Sequence, residues 1–211
     1  MAVLDVHSRS LAKSTALSEY YDPTMILPLD VISVLNRARI SFVLVGLHGV
    51  SGWMKEPRAT QDVDIIVSAK HHKKALRELI VAFPNLEADE QEVVTRLRDR
   101  ATHEVAIDVM KPNELYRAAF KHTETITAGK QKYRIPCLEM ALAMKFAPMI
   151  SLNRREEDKL QDAHDFILMV KANRDIDLKK LSELGDLVYS TGGIELLELV
   201  RKVRAGEKLL L

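Results

Sequence analysis

A single cysteine, Cys137, stands in a chain of 211 residues. That scarcity excludes an internal disulfide framework and fits a reducing compartment. The lone thiol reads as a small core side chain. An excess of either charge is also missing. The 31 Lys and Arg balance 30 Asp and Glu, for a net +1, so contact with nucleic acid has to come from a local patch. No run approaches the ~20 consecutive apolar residues that span a bilayer. "MAVLDVHSRSLAKST" has no apolar stretch of the signal-peptide kind. Repeats and low-complexity tracts are absent. The expectation is a cytoplasmic protein without membrane contact.

What is present is a chain that is 47% hydrophobic, enough for one domain of ordinary core size or a small α/β domain with a helical annex. Residues 1–26 are mixed and turn-rich and read as an N-terminal arm. Residues 27–136 read as an α+β core. "LPLDVISVLNRARI" has helical apolar spacing with a proline near its start, where a missing N–H costs nothing. "SFVLVG" is a short buried strand, "LHGVSGWM" a small-residue helix, "KEPRATQ" a loop, "DVDIIVS" a strand and "AKHHKKALRELIVAF" an amphipathic helix. "EVVTRLR" and "HEVAIDVM" read as strands, "NELYRAAF" as a short helix, and "TETITAGKQKYRIP" as a hairpin turning at Gly129. Residues 137–211 read as helix after helix, with the boundary placed at 134–138. Strands early and helices late point to an α+β class.

The chemistry gathers in "QDVDIIV". Residues i and i+2 of a strand share a face, so Asp62 and Asp64 project together. Two carboxylates so close repel each other unless a cation sits between them. Magnesium takes hard oxygen ligands and is often shared between carboxylates and substrate phosphates. Asp108 lies in a second strand among apolar residues. If the two strands are neighbours, three carboxylates meet as a ligand set able to hold two ions. The backbone N–H groups after Gly46 and the helix that follows suit a phosphate. Gly46, Gly49 and Gly52 would let the backbone approach it closely.

"VLVGLHGVSGWMKEPRATQDVDIIV" resembles the first motif of nucleotidyltransferases of the DNA polymerase beta superfamily, and within it the AbiEii/MenT-like branch of toxins from toxin–antitoxin systems. Gly46, Arg58, Thr60, Asp62 and Asp64 fill the motif, with Asp62 sixteen residues after Gly46. "VAIDVM" is similar to the second motif and supplies Asp108. "IPCLEMALAMKFAPM" is similar to the third, with Lys145 as its lysine. "NRREEDKLQDAHDFI" is similar to the fourth, with Arg155, Asp162 and Asp165 fitting best and Asp158 competing for the register. The resemblance covers about Leu27 to Val170. It implies a palm-like mixed sheet with a helical C-terminal half. It also implies transfer of a nucleoside monophosphate from a nucleoside triphosphate to an acceptor hydroxyl, with Mg2+ as cofactor and a tRNA or protein as acceptor. An antitoxin is the partner that the toxin branch implies. Asp62, Asp64 and Asp108 are then the catalytic and metal residues. Gly46, Leu47, Ser51, Arg58, Thr60, Lys145 and Asp162 are the nucleotide-binding residues.

Leu47 stands where the motif has its second glycine or serine. Its N–H is still a donor, but the side chain crowds a phosphate. That leaves open a chain that keeps the fold and binds without catalysing. An aminoglycoside-type transferase is a further alternative, with Asp158, Asp162 and Asp165 lining an acidic pocket for a cationic sugar. His48 reads as a structural helix-face histidine, and the adjacent His71 and His72, without further spaced ligands, do not read as a metal site. Lys145, on an apolar helix face, should snorkel or meet an anion, either a phosphate or an aspartate. Arg96, Arg98 and Arg100 alternate along a strand as a positive stripe, read as an exposed sheet face or as a contact for an RNA backbone.

Overall fold

The computed structural model describes residues 3–21, 25–55 and 58–209. The turn read at "YYDPT" falls largely outside them, as do Glu56 and Pro57 of the loop before Asp62. Two compact units emerge: Met1–Gly52 with Pro57–Pro136, and Trp53–Glu56 with Cys137–Leu211.

The first unit contains α1 (Val3–Tyr21), α2 (Pro28–Arg37), β1 (Phe42–Leu44), α3 (Gly46–Met54, whose last two residues belong to the second unit), β2 (Val63–Val67) and α4 (His72–Ala82). After these come β3 (Leu86–Glu90), β4 (Val94–Asp99), β5 (Val105–Met110), α5 (Glu114–Ala119), β6 (Thr123–Ala128) and β7 (Gln131–Pro136). Five strands form a mixed sheet in the order β1-β2-β5-β4-β3. Only β2 and β5 run parallel; the other neighbours are antiparallel. Val63, Ile65, Ile66 and Val67 of β2 are fully buried, as a central strand flanked on both edges requires. Ile107 and Val109 of β5, Val31, Ile32 and Leu35 of α2, and Ala75 and Leu79 of α4 close the core on one face. The β6–β7 hairpin turns through Gly129 and Lys130, with Gly129 at φ +57°, a geometry that suits the strand twist and costs a glycine little.

Residues 3–21 are helical, not the turn-rich arm expected. The buried face of α1 is His7, Ser10, Leu11 and Ser14, which is helical spacing written mostly in polar residues, so apolar periodicity could not reveal it. His7 lies against Gly52, where a Cβ would fall 2.0 Å from its Nδ1. The Ser14 hydroxyl donates to the Arg58 carbonyl at 2.8 Å. β3 was not expected either. "LEADE" is mostly polar, and it is a strand because it pairs with β4.

The second unit is built on α6 (Leu138–Met149), joined by α7 (Glu156–Ala172), α8 (Leu178–Gly185) and α9 (Gly192–Ala205). Asn113 caps α5 and Asp177 caps α8, each accepting a backbone N–H. Most of α6 is buried all round, as befits a helix at the centre of a bundle. Its one cation, Lys145, has Nζ 2.8 Å from Asp162 Oδ1 and 2.8 Å from Asp165 Oδ2 of α7. Burial alone would push its pKa down; Asp165 and Asp162 outweigh that and hold it above the ordinary lysine value. Arg154 Nε meets the other oxygen of Asp162 at 2.7 Å. Removing one partner of a buried pair strands the others. Lys145→Met should therefore destabilise the protein by roughly 3 kcal/mol, read as a lowered midpoint in urea or thermal unfolding.

Candidate active site

The site starts from a backbone irregularity. β1 ends at Leu44, and the next residue, Val45, donates its N–H to the Asp64 carbonyl at 2.9 Å. Gly46 then turns into the left-handed region, at φ +57°. A Cβ there would lie 1.7 Å from Asp64 Oδ2 and 2.5 Å from its Cγ. The Asp64 carboxylate thus occupies the space that any other residue at 46 would fill, and glycine is required on both counts.

Asp64 is in β2 and Asp108 in β5, directly opposite each other in the parallel register. Asp62 immediately precedes β2. One carboxylate oxygen from each of the three lies within 4.8 Å of the others, and all three side chains are partly buried. Thr60 Oγ1 donates to Asp62 Oδ1 at 2.7 Å, holding that carboxylate from the loop. Arg96, the β4 residue paired with Asp108, brings Nε to 3.7 Å from Asp108 Oδ1. That is charge compensation without a hydrogen bond. Burial pushes the Asp108 carboxyl up to about 6; Arg96 opposes the shift and Asp62 adds to it. Three hard oxygen donors, gathered with a charge that Arg96 only partly offsets, fit a divalent cation of the magnesium type.

Around this centre, Leu47 is 4% exposed, so its side chain packs inside the unit. Ser51 is interior as well, at 1%. Arg58 has its carbonyl held by Ser14 and an Nη1 contact of 3.4 Å to the Ala59 carbonyl. His48 is buried, and neither ring nitrogen has a hydrogen-bond partner among the described residues. Burial holds it down at about 4, against the pull of Asp62 and with help from Arg58. Lys145 and Asp162 belong to the second unit, where each is engaged by the other.

Two features at this site were not legible in advance. Arg96 was read as part of a stripe, and only the β4–β5 register reveals it as the Asp108 counterion. The rest of the stripe is also neutralised: Arg98 Nε lies 3.1 Å from Asp89 Oδ2, and Arg100 Nη1 3.5 Å from Glu87 Oε2. The Ser14 tether on the Arg58 loop comes from α1, which showed no apolar pattern.

No protein-family model matches the chain, and no curated protein matches it. Solved structures do. The chain is similar to the antibiotic-resistance factor ANT(2'')-Ia, with 11% identity, a TM-score of 0.50, and coverage of 85% of this chain and 95% of that one. An antigenic nucleotidyltransferase-like protein from Paracoccidioides brasiliensis aligns with 19% identity, TM-score 0.47, over 85% and 91%. The lincosamide antibiotic adenylyltransferase LnuA, lincomycin-bound, aligns with 13% identity, TM-score 0.47, over 69% and 95%. The chain has a nucleotidyltransferase fold. At such identities the likeness speaks to architecture, and substrate has to be argued from the residues. Among the described residues, no helix is long and apolar enough to cross a membrane.

The geometry leads to two expected outcomes. Gly46→Ala should abolish Mg2+ or Mn2+ binding measured by titration calorimetry, because the added methyl displaces Asp64. The second concerns pH. With its pKa raised from 3.8 to about 6, Asp108 contributes stability that is full below 3.8 and is lost as pH rises through 6. A bound dication removes that penalty and needs the ionised carboxylate. Magnesium should therefore raise the melting temperature more at pH 7.5 than at pH 5, and Asp108→Asn should flatten the difference.

Proposed function

We propose that this chain is a metal-dependent nucleotidyltransferase that moves a nucleoside monophosphate from a nucleoside triphosphate to an acceptor hydroxyl and releases pyrophosphate. The convergence of Asp62, Asp64 and Asp108 within 4.8 Å carries the reading. These three residues would hold Mg2+, one ion or two. When bound, the ion supplies Lewis acidity and charge neutralisation at the phosphates.

The chain's own groups do the rest. Thr60 fixes Asp62, and Gly46 gives Asp64 its place. Asp108, opposite Asp64 in the parallel register, would complete the ligand set and take the proton of the acceptor hydroxyl. The leading N–H groups of α3, including that of Leu47, have no partner within their own helix and would receive phosphate oxygens. The buried Leu47 side chain weakens the case for a chain that only binds. Arg58, beside them in the loop, would clamp the triphosphate. Ser51 supports α3 from inside. Lys145 and Asp162, paired with each other, would be the nucleotide-binding residues contributed by the helical unit. Such catalysis consists of positioning and electrostatic stabilisation.

The acceptor is a tRNA or a protein side chain in the toxin reading, with an antitoxin as partner; motif order and spacing support that branch. The cationic-sugar alternative loses ground on one observation. Asp158, Asp162 and Asp165 are met by Arg155, Arg154 and Lys145, so they do not form an acidic wall awaiting a cation.

Four labelled nucleoside triphosphates, each incubated with total tRNA and with magnesium, provide the test. Label should pass to the RNA with one preferred nucleotide. Asp64→Asn, with its fold intact by circular dichroism, should transfer at least about a thousandfold more slowly, the equivalent of roughly 4 kcal/mol of lost transition-state stabilisation. Undiminished transfer by Asp62→Asn, Asp64→Asn and Asp108→Asn alike would reject the reading.

A further inference from the structure

We infer that a groove in the helical unit, between the C-terminal ends of α7 and α9, binds the phosphate backbone of an RNA. The inference rests on the transferase reading only for the role of that RNA as acceptor. The groove has a volume of about 580 Å³ and is lined by Val170, Lys171, Asn173, Arg174, Val203 and Arg204, with Ala205 and Gly206 at its edge. Three of these residues are cations and none is an acid. Lys171, Arg174 and Arg204 are all exposed, while Val170 and Val203 form a buried apolar floor.

These cations differ from the arginines in and just after β4, from those at the start of α7 and from Arg201 of α9. Arg96, Arg98 and Arg100 each face a carboxylate. Arg154 and Arg155 are paired with Asp162 and Asp158, and Arg201 with Glu198 and Glu207. Among the described residues, by contrast, no carboxylate lies in ion-pair reach of Lys171, Arg174 or Arg204. Arg204 donates Nη2 to the Arg174 carbonyl at 2.8 Å, which fixes its direction and leaves its charge uncompensated. Asp175 follows Arg174 but does not line the groove.

Helix-dipole compensation accounts for part of this pattern. Lys171 and Arg204 sit in last turns, where a cation offsets the helix dipole. It does not account for Arg174, which lies beyond the end of α7. Like charges gathered on one concavity repel each other and focus a positive potential outward. That arrangement is stable only in the presence of an anion or at a cost to the free protein. Three exposed cations spread over two helix ends suit successive phosphates of one backbone better than a single buried phosphate. The apolar floor provides a surface for a ribose or base edge.

The probe is a fluorescein-labelled stem-loop RNA, followed by anisotropy in EDTA without nucleotide, so that the aspartate site takes no part. Wild-type protein should bind it, and affinity should fall steeply with salt. Lys171→Glu, Arg174→Glu and Arg204→Glu combined should weaken binding at least about thirtyfold, and each single neutralisation to Gln should lower the salt slope by roughly 0.7–1. Arg77→Glu, on an exposed side chain of the other unit, should change nothing. If Arg204→Glu unfolds the chain, Lys171→Glu with Arg174→Glu carries the test, and Arg204→Lys should retain binding.

Two results would overturn the inference: no RNA binding by the wild type, or binding that survives the charge reversals. Equal affinity for a phosphopeptide or a phosphatidylserine vesicle would also overturn it, since the site would then not be one for nucleic acid. Magnesium binding, measured on the same variants, should be unaffected. Loss of nucleotidyl transfer in Asp64→Asn with RNA binding intact keeps the two readings separately testable.

Discussion

The Asp64 carboxylate rests on the backbone of Gly46, in space that no side chain can share. That contact, together with the parallel register that puts Asp64 opposite Asp108, brings three like charges into a partly buried cluster. Such a cluster is costly. The carboxylates lose hydration and repel one another, burial with Asp62 nearby raises the proton affinity of Asp108, and the core around them is apolar. A chain can carry that cost where the sheet is rigid enough to over-determine the positions, and a site held under tension is where function is expected.

The surrounding elements manage this charge. β2 and β5 are adjacent interior strands of the sheet, so Asp64 and Asp108 project from strands whose apolar residues are locked in the core. Thr60 and Ser14 steady the loop that brings Asp62 in. Arg96 approaches Asp108 from the neighbouring strand closely enough to offset its charge, and at 3.7 Å it stops short of a hydrogen bond. The carboxylate is thereby shielded and left available.

Charge is arranged differently in the helical unit. Lys145, Asp162 and Asp165 form a largely buried network, joined from the exposed side by Arg154, in which each charge has an opposite within reach. These ion pairs link α6 to α7. The groove at the ends of α7 and α9 is the contrasting case, with cations collected and no acid supplied. The chain as a whole is nearly neutral, so net charge gives no sign of either arrangement.

Strand-by-strand alternation, the glycine after β1 and the D-x-D pair were legible in the sequence because they depend on local geometry: period two in a strand, φ above zero at one residue, two carboxylates on one face. These features sufficed to put Asp62 and Asp64 on one face and to anticipate strands followed by helices; Asp108 joined them only on the condition that its strand lies beside theirs, which the register meets. Which strand lies beside which was settled only by tertiary structure. Arg96 belongs to Asp108 through the β4–β5 register, Lys145 to Asp162 and Asp165 through the packing of α7 on α6, and α1 is a helix whose buried face is mainly polar. Pairing across a sheet or between helices depends on residues far apart in the chain, and no local pattern encodes it.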